Sequence, residues 1–567
     1  MTYIVMSWLL FVAALVVCIA FNHPLLKEKQ CFSDKAHRIF CISVFAIGCL
    51  IRILKCGSLP NGPTAEEALV AIQGKALWQT GGFAGIGHLT AQLYDWEGES
   101  NGPLLATLTA PFVGLFGINA WTARIPLVLL SIAAMLAMYG VGYETEGKTA
   151  GRYALTIEAL CPYYILGARL TASANAALYL LPIAFYFLLC GMKKTGFMYA
   201  GLILTALMAY TQDLYFYISP VFLLVVVIVF LVKKKPVIHT LIAGFVGFMI
   251  VVPAILTAML NYTGGETYTL FNVVEIPKLN SFDKANWLGQ RMAGMENPVY
   301  ELLRQFWRAV ISGGVFQKVA HENISYMLIE PDGFYALYSI SFPLMLLGLL
   351  SGLHVLFSSK GRPRESTILL ISGGIVTATM ILLFGSIGRE DLSGTTYCYD
   401  YSSMFFYDAL FMINGFVALD KKSRVGVVSM LSLMTVNLGF LCLFLFGGDY
   451  TIACNVNFPD FRDASVVGRS AQEKTGDSIM VSDEVFPHLA PDEAASYLYM
   501  YSIDADMRYD QNTFTVYYPP AIEQPDSDKI HIVKAMNTIN WNLDEFDYQE
   551  FGEYAVLIPL SQNSKQE

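Results

Sequence analysis

The sequence predicts an all-α polytopic membrane protein of about twelve spans, followed by a small C-terminal domain of α/β or α+β type. Three observations lead there. Of 567 residues, 55% are hydrophobic and only 14% charged, whereas soluble domains carry about 25% charged residues. Apolar runs long enough to cross about 30 Å of hydrocarbon recur from Met1 to Phe446. Beyond Phe446 the composition changes: residues 447–567 hold 21 Asp and Glu against 7 Lys and Arg. The net charge of −10 therefore sits in the tail, and the apolar body is slightly basic. That asymmetry marks a separate solvated unit on a membrane body. The division is 1–446 for the membrane domain and 447–567 for the acidic domain.

Orientation follows from the basic loops, which collect on the cytoplasmic side. Lys27–Arg38, Lys148–Arg152, Lys193–Lys194, Lys233–Lys235, Lys360–Arg364 and Lys421–Arg424 are all placed inside. The spans between them are 3–20, 39–55, 121–143, 152–168, 174–191, 196–211, 213–232, 237–259, 335–357, 366–386, 402–419 and 424–446. Segment 3–20 lacks a basic start and a small-residue cleavage site, and is read as a retained span rather than a signal peptide. Both chain ends then face outward, as do the long segments 56–120, 260–334 and 447–567. The apolar run Pro103–Gly117 breaks the alternation if it crosses, and it is short for a span. It is therefore expected along the outer surface, as an interfacial helix.

The tail carries β-rich pieces at Asp477–Ser482, Phe514–Tyr518 and Tyr554–Pro559 between acidic helical stretches. No basic patch points to nucleic acid. The ten cysteines form no CxxC and no Cys/His cluster, so no metal is predicted, although a divalent ion stays open. No internal repeat of the kind common in transporters is visible.

Candidate chemistry concentrates in the first outer segment. Glu66 and Glu67 stand at the start of a short helix that Gly81–Gly82 ends. A carboxylate there, at headgroup depth, is able to take a proton from an acceptor while a lipid-borne donor lies in the bilayer. The competing reading is that two acids at a helix start simply favour its dipole. Arg124 and Arg169 lie at outer span ends, where a guanidinium suits a phosphate or, at Arg124, anchors the chain at the interface. Trp96 is placed to stack on a sugar ring or to join an outer aromatic belt with Tyr94 and Trp121. Glu158 falls mid-span, where a charge is costly and often functional.

The order of these residues carries a resemblance. The acidic pair is followed by Tyr94-Asp95-Trp96-Glu97, then Asn101-Gly102-Pro103-Leu104, Leu115-Phe116-Gly117 and Ala123-Arg124-Ile125-Pro126. This series resembles the family 39 glycosyltransferases, which include the protein O-mannosyltransferases and the lipid A aminoarabinose transferase. Pro162, Arg169 and Asn175 in CPYYILGARLTASAN are similar to that family's next segment, and NVVEIPKL at 272–279 resembles its bacterial members. The resemblance implies a GT-C-type fold in a bacterial plasma membrane, with an extracytoplasmic tail. It also implies sugar transfer from a polyprenyl-phosphate donor to an outer-face acceptor, which is a protein, a lipid or an envelope glycopolymer. In that frame Glu66 and Glu67 are catalytic, with Glu66 as base, and Arg124, Arg169, Trp96 and Asn175 bind substrate. The chain departs from the pattern in three places: Glu66 stands where Asp is usual, Thr171-Ala172-Ser173-Ala174 carries no acid, and 389–404 lacks an Asn-Arg pair. Two other readings stay in view: a non-catalytic relative that binds an envelope partner, and a lipid or sugar transporter.

Overall fold

The computed structural model describes residues 34–59, 65–79, 89–90, 93–94, 100–212, 214–278, 341–358, 365–384, 402–421, 424–447, 459–476, 479–481, 508–510, 515–517, 525–552 and 554–560, with a few single positions besides. The expected span 3–20 lies outside them. Helices dominate the body. They are α1 (Asp34–Ile53), α2 (Ala65–Gln79), α3 (Pro103–Phe116), α4 (Ala120–Glu146), α5 (Lys148–Leu160) and α6 (Pro162–Leu166). They continue as α7 (Ser173–Gly191), α8 (Thr195–Leu207), α9 (Tyr215–Val232), α10 (Val237–Thr263), α11 (Ser341–Ser358), α12 (Glu365–Phe384), α13 (Ser402–Asp420) and α14 (Arg424–Gly447). Among the described residues eight are long and apolar enough to cross a membrane: α1, α4, α7, α9, α10, α12, α13 and α14. The protein is a multi-pass membrane protein.

Charge locates one end of the bundle. Lys148 pairs with Asp34 at 3.1 Å, Arg152 with Asp420 at 3.2 Å, Lys421 with Glu146 at 3.5 Å, and Lys193 with Glu144. Four of the six basic loops thus meet at the same end. At the opposite end the Cys56 carbonyl, just past α1, accepts a hydrogen bond from Arg124 near the start of α4. The chain therefore leaves α1 and enters α4 at one end. Helices α2 and α3, which lie between, make no net crossing.

The predicted span 152–168 is a broken helix. Cys161 precedes Pro162 and takes the extended conformation, φ −74° and ψ 144°, as a residue before proline tends to. The break strands carbonyls at the end of α5. Arg52, wholly buried in the last turn of α1, donates to the carbonyls of Glu158 (2.6 Å), Ala159 (3.1 Å) and Tyr164 (2.9 Å). Arg169 returns the arrangement. It closes the short 3-10 turn Gly167–Arg169, and its guanidinium donates to the carbonyls of Ile51, Leu54, Lys55 and Leu59 at 2.6–3.2 Å. The two arginines cap each other's helices.

The described strands are β1 (Leu89–Thr90), β2 (Leu93–Tyr94), β3 (Ser100–Asn101), β4 (Tyr268–Leu270), β5 (Val274–Ile276), β6 (Ile479–Val481), β7 (Arg508–Asp510), β8 (Thr515–Tyr517), β9 (Ile530–Lys534), β10 (Phe546–Phe551) and β11 (Tyr554–Pro559). Four strands of the tail form one sheet, in the order β10-β11-β9-β6. The pair β6–β9 is parallel and the others antiparallel. Helix α15 (Pro459–Thr475) packs on it, with Gly468 against Ile532 and Ile479. This is the mixed α/β tail that the sequence predicts.

Candidate active site

Helices α2 and α3 pack closely against each other at the end opposite the basic loops. Glycine permits their close approach: a Cβ on Gly74 would stand 3.1 Å from the Ala106 carbonyl, and one on Gly114 would strike the Trp78 ring at 2.3 Å. The outer side of α3 leaves Leu108, Leu115 and Phe116 exposed, and Phe116 meets Trp121 edge to face at 6.1 Å. An exposed apolar side on a helix of 14 residues suits a helix lying in a membrane interface.

Glu66 and Glu67, in the first turn of α2, reach the turn between Arg169 and α7. Adjacent on a helix, they point to different places. Glu67 is buried. Its two oxygens accept from Arg124 Nε at 2.8 Å and Arg124 Nη2 at 2.9 Å, and Oε1 also accepts the Thr171 N–H at 2.9 Å. The Thr171 hydroxyl in turn donates to the Ala123 carbonyl at 3.0 Å. This is the bidentate fork that arginine forms with a carboxylate. It holds α2, α4 and the start of α7 together.

Glu66 is only half-buried. Its Oε1 accepts the Ser173 N–H, the first donor of α7, at 2.7 Å. Burial pushes its carboxyl above the usual glutamate range; the Ser173 contacts pull the other way, and the neighbouring Glu67 charge adds to the rise. Glu66 thus accepts a backbone N–H through Oε1, and its carboxyl holds a proton more readily than a free glutamate does.

The other expected residues take different places. Arg124 is committed to Glu67 and the Cys56 carbonyl, at 3.1 Å, and Arg169 to the end of α1. Both guanidinium groups donate to buried carboxylate and carbonyl oxygens of the protein itself. Asn175 accepts from the Tyr163 hydroxyl at 2.9 Å and donates to the Leu170 carbonyl at 3.0 Å, so it fixes the turn ahead of α7. Trp96 lies outside the described residues. Glu158 is buried in the body, and neither carboxylate oxygen has a hydrogen-bond partner among the described residues. Sequence reading missed Arg52. Its one visible signal is an arginine in the last turn of an apolar span. Among the described residues no cluster of three His, Cys, Asp or Glu side chains is placed to hold a metal ion.

No family model matches the chain, and no curated protein does. Solved structures are similar to it at low identity. ArnT from Cupriavidus metallidurans, bound to undecaprenyl phosphate, is 12% identical with a TM-score of 0.47, over 93% of this chain and 98% of that one. The oligosaccharyltransferase AglB of Archaeoglobus fulgidus, in complex with an inhibitory peptide and a dolichol-phosphate, is 12% identical with a TM-score of 0.47, over 88% of this chain and 69% of that one. The same archaeal enzyme with zinc and sulfate gives 13% identity and a TM-score of 0.43; the chain spans 58% of its length. At these values the likeness carries no chemistry to this chain.

Proposed function

We propose that the protein is a membrane glycosyltransferase with Glu66 as its general base. The donor in this reading is a polyprenyl-phosphate-linked sugar. The acceptor is a hydroxyl of a protein, lipid or envelope glycopolymer, met at the outer face of a bacterial plasma membrane. The acceptor hydroxyl gives its proton to Glu66 as its oxygen attacks the anomeric carbon. The bond from that carbon to the phosphate oxygen breaks, and polyprenyl phosphate leaves. The observation that carries the reading is the division of labour in the acidic pair: Glu67 is consumed by Arg124 and Thr171, while Glu66 is half-buried, raised and held to the start of α7 through Oε1. The ordered motifs from Glu66 to Pro126 supply the donor class by resemblance. Glu67 and Arg124 become positioning residues.

A second reading rests on the same hydrogen bond. By accepting the Ser173 N–H, Glu66 caps α7, the role that a side-chain oxygen plays at a helix start. In a non-catalytic relative that cap is its whole purpose. Sugar transfer from polyprenyl-phosphate donors in proteoliposomes, wild type against Glu66→Gln, separates the two. The amide oxygen still caps the helix but takes no proton. Loss of transfer in a folded variant supports the base, and full retention removes it.

A further inference from the structure

Five residues past the end of α10, at Thr263, the chain enters a hairpin of β4 (Tyr268–Leu270) and β5 (Val274–Ile276). Its tip is Phe271–Asn272, closed by the Val273 N–H donating to the Leu270 carbonyl at 3.0 Å. Both tip residues hold positive φ, 51° and 56°. Asparagine tolerates that region, but a bulky aromatic rarely occupies it, and glycine would fit the turn without strain. The strained phenylalanine is also 87% exposed, the most exposed large hydrophobic side chain among the described residues. A turn that keeps a strained, bare aromatic points to a use for it.

The neighbouring surface says which. Along α10, Ile238, Leu241, Phe245, Phe248 and Met249 form an exposed apolar stripe at helical spacing, as expected of a span facing lipid. The stripe resumes at Met259 and Tyr262, both exposed, and passes into exposed Tyr268, Phe271 and Val273 on the hairpin. Asn261 Nδ2 donates to the Pro277 carbonyl at 3.0 Å, which ties the foot of the hairpin to the last turn of α10. The aromatic tip is therefore eight residues past the end of a span, and aromatic side chains collect where spans leave the bilayer.

We infer that the Phe271 hairpin is an interfacial anchor that inserts into the lipid headgroup and upper acyl region beside α10. The anchor reaches the first outer segment as well. Strand β1 (Leu89–Thr90) pairs in parallel with β5, Leu89 opposite Val274 and Thr90 opposite Glu275. A hairpin seated in lipid thus fixes one strand of the segment that also carries Glu66. The inference does not depend on sugar transfer.

Photo-crosslinking from the full-length protein tests it. Phe271→p-benzoylphenylalanine is reconstituted in phosphatidylethanolamine–phosphatidylglycerol vesicles doped with an alkyne-tailed phospholipid. Glu266, on the same connection and 83% exposed, receives the same substitution as the aqueous control. The expected result is at least tenfold more lipid adduct at 271 than at 266. Equal adduct at the two positions overturns the inference, as does a crosslink from 271 to a protein in place of lipid. If the 271 variant fails to insert, the exposed Val273 takes the substitution, and the same ratio is read there.

Discussion

The two ends of the helical body use ion pairs in opposite ways. At the basic end Lys148 and Asp34 meet at 3.1 Å with their side chains 62% and 80% exposed. At the other end Arg124 and Glu67 meet at 2.8 Å with each side chain 1% exposed. Water and ions screen the first pair, and the second has lost its water and must be satisfied by protein alone. The satisfaction is thorough: Glu67 also takes the Thr171 N–H, and Arg124 also reaches the Cys56 carbonyl. A charged contact at the basic end is replaceable. At the site end the charges of Arg124 and Glu67 are a structural commitment.

Breaking the buried pair should have the largest effect. Arg124→Ala leaves Glu67 buried without its partner, a loss of about 3–5 kcal/mol for pairs of this kind. The measurement is thermal unfolding in detergent, with the yield of monodisperse protein. Glu67→Gln together with Arg124→Met, which removes both charges at similar volume, should recover much of that loss. Equal damage from the single and double changes would show that the shape of the site, and not its charge balance, holds α2 against α4.

Glu66→Gln sharpens the contrast within the acidic pair. Transfer should fall by about 10²–10⁴-fold, the usual contribution of a general base, while folding persists. The pH dependence has a defined sign. The folded carboxyl is raised above its ordinary value of 4.5, so between that value and the raised one the folded state binds more protons than the unfolded state. Glu66 therefore costs stability as pH rises through that window, and the cost stays in full above it. Gln carries no such cost, so at neutral pH the variant should unfold no earlier than wild type and should lose this part of the pH dependence. Activity runs the other way: the acidic limb of kcat/KM should rise with an apparent pKa above the ordinary glutamate value. A limb at the ordinary value would place the base on another, more solvated acid.

The sequence made some of this legible and hid the rest for physical reasons. Hydropathy and the basic loops reveal spans because the bilayer demands long apolar runs and sorts Lys and Arg by side. Helix α3 shows itself as a non-crossing segment for the same reason: charge counting leaves it no place to cross. The first-turn position of Glu66 and Glu67 is also readable. Which of the two is locked is not, because Arg124 lies 57 residues from Glu67 and adjacent helix residues diverge in direction. The partners of Arg169 are hidden for a related reason. They are backbone carbonyls 110 to 118 residues away, and backbone acceptors leave no mark in side-chain sequence. Arg52 was overlooked on the same ground, although Pro162 does announce the stranded carbonyls that it serves.

That reciprocal capping gives the third test. Arg169→Lys keeps the charge and shortens the reach to a single nitrogen, so several of the contacts to α1 carbonyls are lost. The expected result is a loss of about 1–3 kcal/mol for buried acceptors left unsatisfied, read as a lower unfolding temperature with KM for donor unchanged. A rise in KM without loss of stability would return Arg169 to phosphate binding.

The smallest effect should come from the basic end. Lys148→Gln removes one partner of the Asp34 pair, where both side chains are more than half exposed. Exposed pairs gain little Coulomb energy in water, surrender side-chain freedom to hold one geometry, and are weakened further by salt. The unfolding temperature should therefore stay within measurement error of wild type at physiological salt, and raising the salt should change wild type and variant alike. The pair nevertheless belongs to a cluster: Arg152 with Asp420, Lys421 with Glu146 and Lys193 with Glu144 converge on the same end. If Lys148→Gln lowers the unfolding temperature at low salt and the difference vanishes at high salt, the four pairs act as a network. The contrast between the two ends would then be one of screening, with the basic end made structural wherever ions are scarce.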